Sequence, residues 1–191
     1  MKILFIHGLA SSGTYKMADS LRILLKPCEV IAPDVPIEPA GALRLLEGIC
    51  REQRPDLVVG LSLGGFWAQK LRGRRKILVN PDFHVSRLLR TMIGVQDYRS
   101  PRADGAKTFR ITETICREYE DLERSQFEAL PPEEVRLTSG LFADRDEWVR
   151  CGEEFERHYP GRGISYPGTH LPDYPALKAH LVPLVNRLNL R

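Results

Sequence analysis

The sequence has few of the features that mark several common protein classes. It contains only four cysteines in 191 residues, and no two of them form a C-x-x-C pair, so a structural zinc site has no support. Its formal net charge is only +3, which argues against polyanion binding by the chain as a whole. No apolar run approaches the roughly 18 residues of a membrane-spanning helix. We therefore expect no nucleic acid, membrane or metal among its partners.

The remaining composition is that of an ordinary globular protein. Hydrophobic residues make up 42% and charged residues 28%, so 191 residues can bury one core as a single domain. Isolated thiols fit a reducing compartment, and we expect a cytoplasmic protein, although an even number of cysteines could also pair in a secreted one. The apolar start at residues 2–6 is too short for a signal peptide and is interrupted by His7–Gly8, which favours a strand.

Short apolar runs alternate with stretches of helical periodicity along the chain. The runs predict strands at residues 2–6, 28–32, 57–61, 76–79, 135–141 and 162–166. The periodic stretches predict helices at residues 14–26, 40–53 and 64–72, within 108–124, near 147–158, and from about Asp173 onward, with Pro183 kinking or splitting the last helix. This alternation is typical of an α/β protein with a parallel sheet covered by helices on both faces.

One segment interrupts the alternation. Residues 82–132 follow the fourth strand and carry no strand signal, which predicts a helical insert over the sheet edge. Apolar side chains from this insert could line a substrate pocket together with His7, or could simply pack in the core. The candidates in the insert that we name for such a pocket are Phe83, Leu88 and Met92. The basic run at residues 72–76 is better explained as a solvated connection than as a nucleic-acid site.

The sharpest motif is Gly60–Leu61–Ser62–Leu63–Gly64, a G-x-S-x-G sequence. It lies between a predicted strand and a predicted helix, as a nucleophile elbow requires. Glycines on either side would let the helix and strand cross closely behind a serine whose hydroxyl projects from the turn. The alternative is a tight structural turn in which Ser62 merely caps the helix.

A serine nucleophile needs a base, and a base needs an orienting acid. His170 is the favoured base because it follows the last predicted strand in the loop Pro167–Gly168–Thr169–His170. The acid is expected in the loop after residues 135–141, where Asp144 is nearest the strand end and is the first choice. Asp146 is the second choice, since it could instead cap the helix near Glu147.

The order serine, aspartate, histidine is the order found in α/β-hydrolases. Each candidate follows a strand, so the three side chains should meet at the carboxyl edge of the sheet. Two backbone amides are then needed for the oxyanion. We predict those of Leu63, directly after the nucleophile, and Leu9, in the loop after the first strand.

These residues resemble the α/β-hydrolase superfamily and, within it, the small YqiA-like (UPF0227) esterases. The resemblance is carried by His7–Gly8 after the first strand, the elbow LVVGLSLGG at residues 57–65, Asn80–Pro81 and the late Gly168–Thr169–His170. The acidic loop departs from the Gly-Asp common in that family, because Ala143–Asp144–Arg145–Asp146 stands there. This departure leaves the choice between Asp144 and Asp146 open.

The resemblance implies a trimmed α/β-hydrolase fold. We expect six mainly parallel strands in the order 2-1-3-4-5-6, helices on both faces and one insert after strand four. It also implies a serine carboxylesterase or thioesterase that cleaves small acyl esters with Ser62 as nucleophile, His170 as base and Asp144 as acid, and that needs no cofactor. Two alternatives remain: a non-catalytic binding protein on the same fold, and an amide or peptide hydrolase with the same triad. The sequence does not determine the oligomeric state.

Overall fold

A computed structural model describes residues 1–188. The strands are β1 Lys2–Ile6, β2 Glu29–Ile31, β3 Leu57–Leu61, β4 Lys76–Val79, β5 Gly94–Asp97, β6 Thr108–Ile111, β7 Thr138–Ala143 and β8 Gly163–Tyr166. The helices are α1 Lys16–Leu24, α2 Pro39–Gln53, α3 Leu63–Lys70, α4 Val85–Arg90, α5 Glu113–Arg124, α6 Pro132–Leu137, α7 Gly152–His158, α8 Tyr174–Ala176 and α9 Val182–Arg187.

Six strands form one parallel sheet in the order β2-β1-β3-β4-β7-β8. When the two insert strands are left out of the numbering, this order reads 2-1-3-4-5-6. The predicted strand order is therefore confirmed. Alternate residues of each central strand enter different cores. Leu4 and Val58 pack on the α2 and α3 face, whereas Ile3 and Val59 pack on the face of α1 and the C-terminal helices. Burial on both faces explains why the strands are continuously apolar.

The prediction that the insert lacks strands is wrong. β5 and β6 pair antiparallel, with Gly94 opposite Ile111 and Asp97 opposite Thr108. Each strand has only four residues, and one face of each is exposed. Thr108 and Arg110 in β6, and Gln96 and Asp97 in β5, interrupt the apolar residues and hide such short strands from a search for apolar runs. The helix predicted within residues 108–124 follows β6 and begins at Glu113, where the Thr112 hydroxyl caps it by accepting from the Ile115 amide at 3.2 Å.

The predicted strand at residues 135–141 is shifted along the chain. Its first residues belong to α6, which begins at Pro132 with glutamates in its first turn. The strand β7 starts at Thr138 and extends to Ala143. A buried ion pair between Lys76 and Glu134 joins α6 to β4. This pair needs the helical turn to bring Glu134 under the sheet, so tertiary packing overrides the apolar pattern of residues 135–137.

The C-terminal helix has the predicted start and the predicted interruption. The Asp173 carboxylate caps α8 by accepting from the Ala176 amide at 2.9 Å. A π-helical turn, Leu177–Leu181, then separates α8 from α9, and Pro183 lies in the first turn of α9. Proline cannot donate to the preceding turn, which fits a change of helix type at this point. Within residues 1–188 no helix is both long and apolar enough to cross a membrane.

Candidate active site

Ser62 lies on a strained turn between β3 and α3. Its φ is 55° and its ψ −119°, a conformation that costs free energy for a residue with a side chain. The turn can form only because glycines flank it. A Cβ atom on Gly64 would lie 2.0 Å from the carbonyl oxygen of Ile6, and one on Gly60 would lie 2.1 Å from the carbonyl oxygen of Gly64. Close crossing of three backbone segments therefore fixes Ser62 at the edge of the sheet.

The Ser62 side chain is not used as a helix cap. It forms no capping hydrogen bond to α3, although Ser62 precedes the first residue of that helix. The loop after β1 reaches it from the other side: a Cβ atom on Gly8 would lie 3.4 Å from Ser62 Cβ and 3.9 Å from Ser62 Oγ. The hydroxyl thus faces the predicted oxyanion loop, which contradicts the interpretation of Ser62 as a cap.

His170 pairs with Asp146. Its Nδ1 lies 2.7 Å from Asp146 Oδ2, and both side chains are buried. Asp144, the first choice from the sequence, is exposed, and its Oδ1 accepts from the Gly168 amide at 2.9 Å. The preference for Asp144 as the partner of the imidazole is therefore wrong, and the second choice, Asp146, occupies that position.

Local hydrogen bonds explain why the more distant aspartate reaches the histidine. The chain turns after β7, and α7 begins only at Gly152 rather than near Glu147. Asp146 Oδ1 accepts from the amides of Trp148 and Val149, both at 2.9 Å. One carboxylate oxygen thus closes the turn while the other receives the imidazole. Asp144 ties the turn to the His170 loop instead, so both acidic residues shape this side of the site.

One segment, Val79–Asp82, links the serine side to the histidine side. The Ser62 amide donates to the Val79 carbonyl at 3.0 Å, and the Ser62 carbonyl accepts from the Asp82 amide at 3.2 Å. The Asn80 side-chain amide donates to the His170 carbonyl at 2.8 Å, and its oxygen accepts from the Ala143 amide at 2.7 Å. Asn80 has a φ of 42°, which asparagine tolerates better than most residues.

The serine and the imidazole share this edge without a direct bond. Across residues 1–188 no hydrogen bond joins the Ser62 hydroxyl to the His170 ring. Hydrogen bonds between nucleophile and base are often long in the absence of substrate and tighten when it binds. The geometry therefore places a serine on a strained turn and an imidazole paired with a carboxylate on two loops that are held by one asparagine-centred segment.

His7 is a buried, neutral histidine in the loop after β1. Burial lowers its pKa from 6.5 to about 4. Its Nε2 accepts from the Val35 amide at 3.0 Å, and its Nδ1 lies 2.8 Å from the Gly8 carbonyl oxygen. The first bond requires an unprotonated Nε2, so the proton is on Nδ1 and is donated to Gly8. His7 thereby fixes the Gly8 peptide beside Ser62.

A small cavity lies between this loop and the insert. Its volume is about 10 Å³, room for roughly one water molecule. The residues lining it are His7, Gly8, Leu9, Ala10, Val35, Pro36, Ile37, Leu63, Trp67, Tyr98 and Phe109. Leu9 and Leu63, the predicted oxyanion donors, both line it, and neither backbone amide finds a protein acceptor within residues 1–188.

The predicted pocket residues are only partly brought together. His7 lines the cavity, whereas Phe83, Leu88 and Met92 do not. Phe83 is fully buried and packs edge-on against Phe127, while Leu88 is 45% exposed. The hairpin β5–β6, which the sequence did not indicate, supplies the insert's contribution through Phe109 and the neighbouring Tyr98.

The other histidines contact partners away from Ser62. His158 stacks on Phe127 with ring centroids 3.8 Å apart, and the His180 ring lies 5.5 Å from that of Tyr166. His84 Nε2 lies 2.7 Å from Glu154 Oε2. Each therefore has a packing or pairing role of its own.

Two residues near the site were missed as functional candidates. Asn80 holds the His170 loop, and the signals for it were its place directly after β4 and its part in the family resemblance through Asn80–Pro81. Trp148 packs on His170, with ring centroids 5.1 Å apart, yet is 63% exposed. An exposed tryptophan two residues after a candidate acid is a signal that could have been used.

The comparisons with known proteins agree with this architecture. A model of the uncharacterised protein family UPF0227 matches residues 2–130. No curated protein matches the chain. Among solved structures, the methylesterase MES16 from Arabidopsis is similar with a TM-score of 0.62 and 10% identity, over 99% of this chain and 98% of that one.

Two further structures show the same similarity. The esterase domain of a Rhodothermus marinus protein has a TM-score of 0.64 and 17% identity, covering 100% of this chain and 86% of that one. The type II thioesterase BorB from the borrelidin biosynthetic cluster has a TM-score of 0.54 and 16% identity, covering 100% and 92%. At such identities the similarity establishes the α/β-hydrolase fold and no more.

Proposed function

The chain belongs to the uncharacterised protein family UPF0227, and we propose that it is a serine hydrolase that cleaves small acyl esters or thioesters through an acyl-enzyme on Ser62. The observation that carries the proposal is the buried contact between His170 Nδ1 and Asp146 Oδ2 at 2.7 Å, at the sheet edge where Ser62 lies on its strained turn. A structural turn needs neither the strain nor an oriented imidazole.

The hydrogen bond to Asp146 determines the chemistry of the imidazole. The carboxylate accepts a hydrogen bond from Nδ1–H, so the proton of the imidazole stays on Nδ1. Nε2 can then take the proton of the Ser62 hydroxyl. As that proton moves to His170, Ser62 Oγ forms a bond to the acyl carbon and the carbonyl oxygen becomes an oxyanion. Asp146 stabilises the imidazolium that results.

The amides of Leu9 and Leu63 are the proposed donors to the oxyanion. In the part of the chain that the structure describes they have no protein acceptor, and they come from two elements that converge on one cavity. When the tetrahedral intermediate collapses, the bond to the leaving oxygen or sulfur breaks, and His170 returns its proton to that atom. Water then repeats the sequence on the acyl-enzyme and releases the acid and Ser62.

The names of the similar structures, which include esterases and a thioesterase, are consistent with this reaction class. The small cavity beside the oxyanion donors favours a short acyl group over a long one. A series of 4-nitrophenyl esters from acetate to octanoate should therefore show kcat/KM falling as the chain lengthens.

Labelling with a fluorophosphonate probe tests the proposed nucleophile. Wild-type protein and Ser165→Ala, which alters an exposed serine on β8, should be labelled equally. Ser62→Ala should not be labelled, and its ester turnover should fall by roughly 10⁶ if the triad acts as a unit. Absence of labelling in a folded wild-type protein would instead favour a binding protein. Equal turnover of matched amides would favour the amide hydrolase.

A further inference from the structure

Trp148 is an exposed aromatic side chain packed on the candidate base. Its ring centroid lies 5.1 Å from that of His170, with the planes inclined at 44°. Its backbone amide donates to Asp146 Oδ1 at 2.9 Å. The turn that orients the acid therefore also fixes the backbone from which the Trp148 side chain extends. The side chain is nevertheless 63% exposed, in contrast to Trp67, the chain's other tryptophan, which is 1% exposed.

Other exposed apolar side chains occur in the same part of the chain. Leu171 directly follows His170 and is 41% exposed, and Tyr174 is 43% exposed. Single exposed apolar residues are common on protein surfaces. Here, however, Trp148 contacts the base and Leu171 is its neighbour in the chain, so apolar surface accompanies the one imidazole that the proposed reaction uses.

The chemistry of acyl transfer determines which part of a substrate reaches this surface. The base returns its proton to the leaving oxygen, so that oxygen must lie beside His170. The carbonyl oxygen must lie at the opposite side, near Leu9 and Leu63. The acyl group therefore lies on the side of the small cavity, whereas the alcohol part extends past His170 toward Trp148.

The two sides differ in the room that they offer. The cavity beside the oxyanion donors holds about 10 Å³ and is bounded by Trp67 and Phe109. The Trp148 side is open to solvent, so it limits the size of a group much less. An aromatic face there can bind a planar apolar group by stacking.

We propose that Trp148 binds the leaving group, and that the preferred substrates are esters of a short acyl group with an aromatic or similarly bulky apolar alcohol. This inference rests on the proposed hydrolase function and specifies its substrate class. Trp148 contacts the alcohol part of the ester, and its loss weakens only substrates whose alcohol can stack on it.

Acetates of alcohols of similar basicity test the inference without changing the leaving-group chemistry. Ethyl acetate offers no ring, whereas benzyl and 2-naphthylmethyl acetate offer one and two. Trp148→Ala should lower kcat/KM for 2-naphthylmethyl acetate about tenfold, mainly through KM, and should change that for ethyl acetate less than twofold. Trp148→Phe should restore most of the loss. Ile23→Ala, a change of an exposed residue on α1, should alter none of these values.

Inhibition by 2-naphthylmethanol gives a second measurement. The alcohol should compete with the aromatic esters, and its inhibition constant should rise about tenfold in Trp148→Ala. An equal fall in kcat for all three acetates would show that Trp148 only shields or positions His170, and would overturn the inference. Unchanged kinetics in Trp148→Ala would overturn it as well.

Fluorophosphonate labelling separates failure of this inference from failure of the proposed function. If Ser62 is labelled and acetates are hydrolysed while the Trp148→Ala ratios do not depend on the alcohol, the inference fails and the hydrolase remains. If the folded wild-type protein is neither labelled nor active, the proposed function fails and the inference falls with it.

Discussion

Backbone packing holds the nucleophile side of the candidate site, whereas hydrogen bonds between loops hold the acid side. Ser62 is fixed where β1, β3 and α3 cross so closely that a Cβ atom on Gly64 would overlap the Ile6 carbonyl. Asp146 and His170 lie on two loops that are joined by side-chain bonds, including the one from Asn80 to the His170 carbonyl. The first construction depends on glycines at fixed positions. The second depends on which side chains and backbone groups form hydrogen bonds between the loops.

This difference determines how each side should respond to mutation. Gly60 and Gly64 on the nucleophile side tolerate no side chain, so changes at these glycines should act through stability. A polar residue on the acid side can lose its charge and keep its volume, so changes there should act through turnover. The predictions below test that contrast.

Among the variants compared below, the largest effect is expected on the acid side. Asp146→Asn retains the shape of the side chain but favours the wrong imidazole tautomer, so kcat for 4-nitrophenyl acetate should fall by about 10⁴. The free energy of unfolding, measured by urea denaturation, should change far less. Asp144→Asn is the matched control, because Asp144 is exposed and bonds to the Gly168 amide rather than to the imidazole. A loss of similar size in Asp144→Asn would contradict the assignment of Asp146.

The nucleophile side should show the reverse pattern. Gly64→Ala would bring its Cβ to 2.0 Å from the Ile6 carbonyl oxygen, so the backbone must move, and we expect a loss of about 4 kcal/mol in the free energy of unfolding. Gly48→Ala in α2 is the control, because its nearest neighbour would be Arg51 Nη2 at 3.9 Å. It should stabilise the protein by about 0.8 kcal/mol through helix propensity. Equal melting temperatures for the two variants would refute the packing argument.

The same contrast explains what the sequence could predict. Gly60–Leu61–Ser62–Leu63–Gly64 is a local pattern of five consecutive residues, so the elbow could be identified without coordinates, even though the clash that requires Gly64 involves Ile6 of β1. The continuously apolar strands likewise predicted the parallel sheet and its order. These features depend on periodicity and on residues that are close in the chain.

The acid side could not be predicted in the same way. Asp144 is nearer the end of β7, and distance along the chain favoured it. The choice of Asp146 depends on one of its oxygens accepting from the amides of Trp148 and Val149 while the other contacts the imidazole, and spacing along the chain does not reveal this arrangement. The hairpin β5–β6 was missed for a related reason, since four-residue strands with one exposed face give no clear apolar run.

A fall in pH should lower the free energy of unfolding through His7, which lies on the nucleophile side. Its pKa is about 4 in the folded protein and about 6.5 in the unfolded chain, so between these values the unfolded chain binds more protons. The stabilising contribution is therefore complete above pH 6.5 and is lost as the pH falls toward 4. The loss in the free energy of unfolding should reach about 3 kcal/mol over that interval.

Urea denaturation at several pH values measures this dependence. His7→Gln is the informative variant, because glutamine can still accept from the Val35 amide but does not titrate. Its free energy of unfolding should fall less steeply than that of the wild type between pH 6.5 and 4. Parallel pH profiles for the two proteins would show that His7 is not the group responsible.

The smallest effect is expected at Tyr166, whose hydroxyl accepts from the Asn80 side chain at 3.1 Å and donates to the Thr169 carbonyl at 3.3 Å. Tyr166→Phe removes these bonds, but Asn80 still donates to the His170 carbonyl at 2.8 Å. We expect a loss of about 1 kcal/mol in the free energy of unfolding and a fall in kcat of less than tenfold. Asn80→Ala removes the bonds that Asn80 donates to Tyr166 and to the His170 carbonyl, and should lower kcat further than Tyr166→Phe does. If the two variants have the same kcat, the bond from Asn80 to His170 does not position the base, and the acid side would be held by Asp146 alone.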